Sequence, residues 1–223
     1  FDMGRIDPDY AYQVIKNWEW GNSGSATIYH DVETRRNSVG YRSNIARASE
    51  ALAKDGQFKK AEELLDLGMK HMPLEYYGNY SMLEPFVSGY YELDKKEKAR
   101  DLLNKIILKY QDELDHYNAL TLAEQEVNYS RIQQAVVRYN SITEVAVYYN
   151  DQEMIDKHVD TYNDYFEPFV RYLNDAYYIR KDGENLEGVF PDSAAATELR
   201  DLLDNSVDNV TTAREELPAD TVE

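Results

Sequence analysis

The chain has no cysteine, few basic residues for its length and no long apolar run. Without cysteine there is no disulfide, no thiolate nucleophile and no thiolate metal site, although the compartment stays open because exported domains also lack cysteine. Lys and Arg number 24 against 42 Asp and Glu, a formal charge of −18. Nucleic acid is therefore not an expected partner, since phosphate binding needs a basic footprint. No apolar stretch approaches the ~18 residues of a membrane span, so no transmembrane segment is expected in these residues. Catalytic signatures are missing as well. His30, His71, His116 and His158 lie far apart, with neither a second histidine one turn away nor an H-E-x-x-H pattern, and each is expected at the surface. There is no nucleophile elbow, no P-loop, no dinucleotide glycine fingerprint and no calcium loop. The neighbours Glu62 and Glu63 are expected on a solvated helix face. No catalytic residue, cofactor or metal is assigned, and the chain reads as non-enzymatic.

What is present is helical hairpin periodicity. Tyr41 to Pro73 reads as one complete tetratricopeptide-type hairpin, with Ile45, Ala48, Ser49 and Leu52 in its first helix, Asp55-Gly56 at the turn, then Ala61, Leu65 and Pro73 in the second helix and its exit. Two antiparallel helices that approach closely need small residues at the crossing and large ones around it. A second copy starts near Ser81, with Leu83, Phe86 and Tyr90, a turn at Asp94-Lys95, then Ala99 and Leu103. The Ala61 to Ala99 spacing is 38 residues, the excess over ~34 falling in the connection from Leu74 to Tyr80, and Gln111 stands where the exit proline would be. A degenerate third copy uses Tyr139, Ile142 and Ala146, a turn at Asn150-Asp151, then Ile155, Val159 and Pro168. The expected fold is all-α: hairpins stacked as a short right-handed solenoid over residues 41–180, preceded by a helix and loop in 1–40 and followed by an acidic tail in 181–223. A non-repeat helical bundle is the alternative, because apolar residues three and four apart arise in any bundle.

In such an array the first helices line a concave groove. The repeat phase assigns to it Ser43, Arg47 and Glu50, then Glu84, Ser88 and Tyr91, then Asn140 and Glu144. That mixture suits an extended peptide or a glycan, while the alternative is that these residues pair among themselves, as Arg47 with Glu50. Upstream, Asp7-Pro8 starts a short helix to about Trp18. Trp18, Trp20 and Tyr29 border a Gly/Ser loop, where the two tryptophans stack on a sugar, clasp a peptide or plug the open end of the first hairpin. Most of the 20 tyrosines are expected as half-buried packing residues. In the tail, twelve carboxylates face Arg200 and Arg214, a net of −10, with one short helix expected around Ala195 to Leu203.

The series Trp18, Gly21-Asn22, Tyr29, Asp31, Thr34, Arg36-Asn37, Arg42-Ser43-Asn44, Ala46-Arg47, Ala51-Leu52, Gly56, Ala61, Leu65 and Met72-Pro73 resembles the C-terminal soluble region of large bacterial multi-pass membrane proteins of unknown function. Those proteins look like protein O-mannosyltransferase-type glycosyltransferases. The similarity continues through Asn79 to Pro85, Tyr90-Tyr91, Lys98-Ala99 and Tyr110 to Leu114, covering roughly residues 4 to 120. Ser23 to Ser25 is an insertion relative to that pattern. The resemblance implies a division of labour in which a membrane part outside this sequence carries the catalytic carboxylates. This part would then lie at the periplasmic face of the inner membrane as a recognition or assembly domain, and no catalytic residue of the family carries over to it. The absence of a signal-peptide pattern at Phe1-Asp2-Met3 suggests a piece of something longer or a mature product. The expected function is a protein-interaction scaffold that binds an acceptor protein, a partner or its own membrane domain. The alternative is a carbohydrate-binding module that uses Trp and Tyr platforms.

Overall fold

The computed structural model of the chain describes residues 6–173 and 177–179, so the acidic tail and its expected short helix lie outside the described residues. Those residues are helical, with no strand among them. In order they form α1 (Pro8–Lys16), α2 (Val32–Lys54), α3 (Phe58–His71), α4 (Leu74–Tyr77), a 3-10 turn at Tyr80–Leu83, α5 (Glu84–Glu92), α6 (Lys96–Asn118), α7 (Leu122–Val127), α8 (Tyr129–Tyr148), α9 (Gln152–Phe166) and a 3-10 turn at Glu167–Tyr172.

Three of the connections are the same turn. The helices α2, α5 and α8 end with one residue in the left-handed region, at Gly56 (φ 75°), Asp94 (φ 56°) and Asn150 (φ 51°). The next residue donates its backbone N–H back to the helix, Gln57 to Leu52, Lys95 to Tyr90 and Asp151 to Ala146, at 2.8 to 2.9 Å. This closure satisfies carbonyls that a helix end otherwise leaves open, and it favours Gly, Asn or Asp at the left-handed position. Each turn feeds a partner helix that packs on its predecessor: α3 on α2, α6 on α5 and α9 on α8. Five residues past the left-handed position stand Ala61, Ala99 and Ile155, all buried. The apolar residues assigned to the three hairpins, from Ile45 to Val159, are at most 3 % exposed.

Exit chemistry decides how long each second helix runs. Pro73 follows directly on Met72, the C-cap of α3, because a proline disfavours helical backbone in the residue before it. With Gln111 at the equivalent place, α6 continues to Asn118. The first helix is also longer than the repeat requires. It starts at Val32, capped by Asp31, which accepts from the Thr34 N–H at 2.9 Å, so residue 40 lies inside α2 rather than at a boundary.

The first two hairpins dock by reciprocal insertion. A Cβ on Gly68 of α3 would stand 2.8 Å from the Phe86 ring of α5, and one on Gly89 of α5 would stand 3.0 Å from Leu65 of α3. Each helix thus offers a glycine as the hole for the other's large side chain, giving a closer approach than any Cβ permits. Farther along, a line of rings joins the second hairpin to the third: Tyr80 on Tyr110 at 4.7 Å, Tyr110 on Tyr139 at 6.2 Å and Tyr139 on Tyr162 at 5.0 Å.

Gly68→Ala is expected to destabilise the fold. Overpacking against the buried Phe86 costs about 1–3 kcal/mol, which exceeds the roughly 1 kcal/mol gained in helix propensity. Gly40→Ala, on the exposed face of α2 with no atom within 4 Å of the added methyl, is expected to stabilise it by about 0.5–1 kcal/mol. Urea midpoints of the two variants should therefore move in opposite directions.

Candidate functional site: a groove between three hairpins

The first helices of the hairpins enclose a groove of about 630 Å³. Its walls are α2, through Ser43, Ala46, Arg47 and Glu50, and α8, through Arg138, Ser141 and Val145. Between them α5, only nine residues long, forms the floor with Glu84, Pro85, Ser88 and Gly89. Five of the eight residues assigned to this groove by repeat phase line it: Ser43, Arg47, Glu50, Glu84 and Ser88. Glu50 pairs with Lys54, one turn on along α2.

Three assigned residues do not line it. Tyr91 is buried between the second and third hairpins, its ring stacked on Tyr149 at 4.7 Å and its hydroxyl donating to Asp151 at 3.0 Å. Asn140 donates to the Tyr162 hydroxyl at 3.3 Å and the Tyr177 carbonyl at 3.0 Å. Glu144 is half-buried beside Tyr162, and burial pushes its carboxyl up. The reason is geometric. The wall α2 shows the groove the flank that faces the next hairpin, whereas the opposite wall α8 shows it the flank that faces the preceding one. Strict repeat phase carries Asn140 and Glu144 to the far flank of α8, which the segment 177–179 covers, and leaves Arg138, Ser141 and Val145 on the groove side. The buried stripe of α8 was legible in the sequence, but its flank was not.

Glu84 is a desolvated carboxylate of the groove whose polar contacts are long. Its carboxylate accepts from the Tyr110 and Ser141 hydroxyls at 3.4 Å each and has the Arg138 guanidinium at 4.0 Å. Burial pushes this carboxyl up, while Arg138, Ser141 and Tyr110 favour the charged form without cancelling that effect.

Two polar clamps that the sequence gave no sign of hold the hairpins around the groove. Arg42 of α2 is completely buried, and its guanidinium donates to the carbonyls of Met72 (2.8 Å), Gly78 (2.6 Å) and Asn79 (3.2 Å), gathering the connection that leaves the first hairpin. Burial pushes its pKa down to about 10, so it stays charged at neutral pH. At the third turn, buried Asp151 takes two Arg100 donors at 2.7 and 2.8 Å along with the Tyr91 hydroxyl, while the third Arg100 donor goes to Glu153 at 2.6 Å. Burial alone would raise this carboxyl, but Arg100 and Tyr91 hold it below the usual carboxylate range. Glu62 and Glu63 are likewise drawn into ion pairs, Glu62 with Lys95 and Lys98, and Glu63 with Lys16.

The aromatic loop has a different character from the groove. Trp18 packs edge-on against Trp20 at 5.5 Å and against Tyr41 at 5.0 Å, while Trp20 stacks on His71 at 4.8 Å. Gly24 sits so close to the end of α3 that a Cβ there would stand 2.3 Å from the Lys70 carbonyl. The loop is pressed onto the first hairpin, and only Tyr29, 86 % exposed, presents an open ring. The expectation of four surface histidines is corrected. His30 and His158 are buried and His71 is half-covered by Trp20, while only His116 is exposed. Burial pushes His158 down to about 4, and its neutral ring pairs with Asn104 at 2.6 Å. Among the described residues no group of three His, Asp or Glu side chains is placed to hold a metal ion.

Asp151→Asn is expected to cost about 2–3 kcal/mol at neutral pH, the value of hydrogen bonds to a charged group. Because the folded pKa of Asp151 is depressed, its contribution is present above the unfolded value near 3.9 and lost as pH falls through the folded value. The difference in urea unfolding between wild type and variant should therefore begin to shrink below about pH 4 and close only below the depressed folded value.

No family model matches the chain, and no match to it was found among the curated proteins or the solved structures.

Proposed function

We propose that this chain is a non-catalytic interaction domain whose three hairpins are tetratricopeptide-like repeats in a short right-handed array, and that their groove holds an extended segment of a protein partner. The observation that carries the reading is the groove itself. One helix from each hairpin contributes to it, and its lining alternates small apolar positions with charged and hydroxyl groups, as a main chain with projecting side chains requires. The threefold recurrence of the left-handed turn supports the repeat reading. By the resemblance of roughly residues 4 to 120, the domain would serve a membrane glycosyltransferase-like protein at its periplasmic face, with the acceptor protein or that protein's own membrane part as partner. Glycan binding at the tryptophans is the weaker reading, because Trp18 and Trp20 spend their faces on Tyr41, His71 and each other.

The test is selection of a displayed random dodecapeptide library on immobilised wild-type protein. Ala46→Trp on one wall and Ser141→Trp on the other serve as counter-selections, with thermal unfolding checking that each is folded. Peptides retained by wild type and lost by both variants are the expected result. Wild-type enrichment no greater than that of the variants overturns the groove as the site. Self-association by sedimentation, lost in the same variants, would put a second copy of the chain in the groove. Glycan binding lost in Trp18→Ala and Trp20→Ala would move the function to the loop.

A further inference from the structure

The groove contains a carboxylate that its own surroundings serve poorly. Glu84 lies at the junction of floor and wall with its side chain 15 % exposed, and its three polar neighbours stand at the outer limit of hydrogen-bond and ion-pair distance. Compare Asp151, whose donors from Arg100 lie at 2.7 and 2.8 Å and whose carboxyl is held low. The two carboxylates are both desolvated, but only one is compensated. A desolvated carboxylate without short donors is held at a cost that a cation arriving from outside can offset.

Its neighbours narrow the kind of cation. Glu50 and Glu92 also line the groove, Glu50 paired with Lys54, so the carboxylates match the cations Arg47, Arg138 and Lys54 and the lining has no positive excess to draw an anionic ligand. Among the described residues no group of three His, Asp or Glu side chains includes Glu84, which leaves a metal ion too few ligands there. Ala46, Pro85, Gly89 and Val145 supply a surface with few projections, on which an extended chain can lie with a long side chain directed at the carboxylate. The charge of −18 on the whole chain would draw such a partner in from a distance.

We propose that the occupant of the groove is an extended peptide segment carrying a lysine or arginine whose cationic head pairs with Glu84 in the space between α5 and α8. This rests on the groove being the binding site and adds the chemistry that the partner must present. The ammonium or guanidinium group displaces the long hydroxyl contacts of Tyr110 and Ser141, and the flanking residues of the segment, small or apolar, cover Gly89 and Pro85.

The experiment starts from the peptides retained by wild type. One is synthesised with a fluorescent label, together with a version in which its basic residue is norleucine, and both are titrated against wild type, Glu84→Gln and Glu92→Gln. The expected result is a Lys or Arg at a fixed place in the enriched sequences. Its replacement should weaken binding roughly 10-fold or more on wild type and on Glu92→Gln, but little on Glu84→Gln, the signature of a direct charge pair. Enriched peptides without a fixed basic residue, or a loss on replacement that is equal on Glu84→Gln, overturn this inference and leave the groove standing. Failure of wild type to retain more than Ala46→Trp and Ser141→Trp overturns the groove, and this inference with it. Unfolding of Glu84→Gln would be seen in its thermal transition. Glu84→Asp, which keeps the charge but shortens the reach, is then the second variant and should lose affinity for the Lys peptide while holding that for the norleucine peptide.

Discussion

Everything downstream of the first hairpin depends on how closely α3 and α5 approach. Gly68 receives Phe86 and Gly89 receives Leu65, so the contact is specified from both sides and a methyl group on either helix interferes with it. Interhelical distance is set by the side chains at the crossing, and two glycines in register with two large residues give a short one. Gly89 and Leu65 also line the groove, so the packing that joins the hairpins also forms part of the groove surface.

Polar clamps complete what apolar packing cannot specify. Surface area is indifferent to small shifts of a connection, but three carbonyls around one guanidinium are not. Arg42 fixes where the chain leaves the first hairpin, and Arg100 with Asp151 fixes the turn of the third against the second. A buried arginine without a carboxylate is costly to hold, as its lowered pKa records. The Met72, Gly78 and Asn79 carbonyls would in turn lose these donors if the side chain were removed, so cation and connection depend on each other.

Much of the fold was readable along the chain because its signals are local. The turns at Gly56, Asp94 and Asn150 announce themselves by residue types that tolerate left-handed backbone. Pro73 announces the end of α3, and the absence of proline at Gln111 lets α6 run on. The three-and-four spacing of Ile45, Ala48, Ser49 and Leu52 marks a buried stripe whatever it packs against. The same spacing cannot say which flank of the stripe faces a partner. Asn140 and Glu144 sit beside the buried Tyr139, Ile142 and Ala146 just as Ser141 and Arg138 do, on the other side. The clamps were illegible for a related reason: Arg42 looks like any arginine on a helix until the connection, some thirty residues on, folds back over it.

The sequence by itself determined the three helical hairpins, their turn chemistry, the buried stripes and the acidity of the chain, since each follows from neighbours within a few residues or from composition. The tertiary structure alone decided which flank of α8 faces the groove, that Tyr91 leaves the groove for Asp151, that Trp18 and Trp20 close onto the first hairpin, and that Glu84 is left with only long contacts. Those outcomes depend on the relative placement of helices far apart in the chain. That placement is fixed by shape and charge across interfaces, which no local spacing encodes.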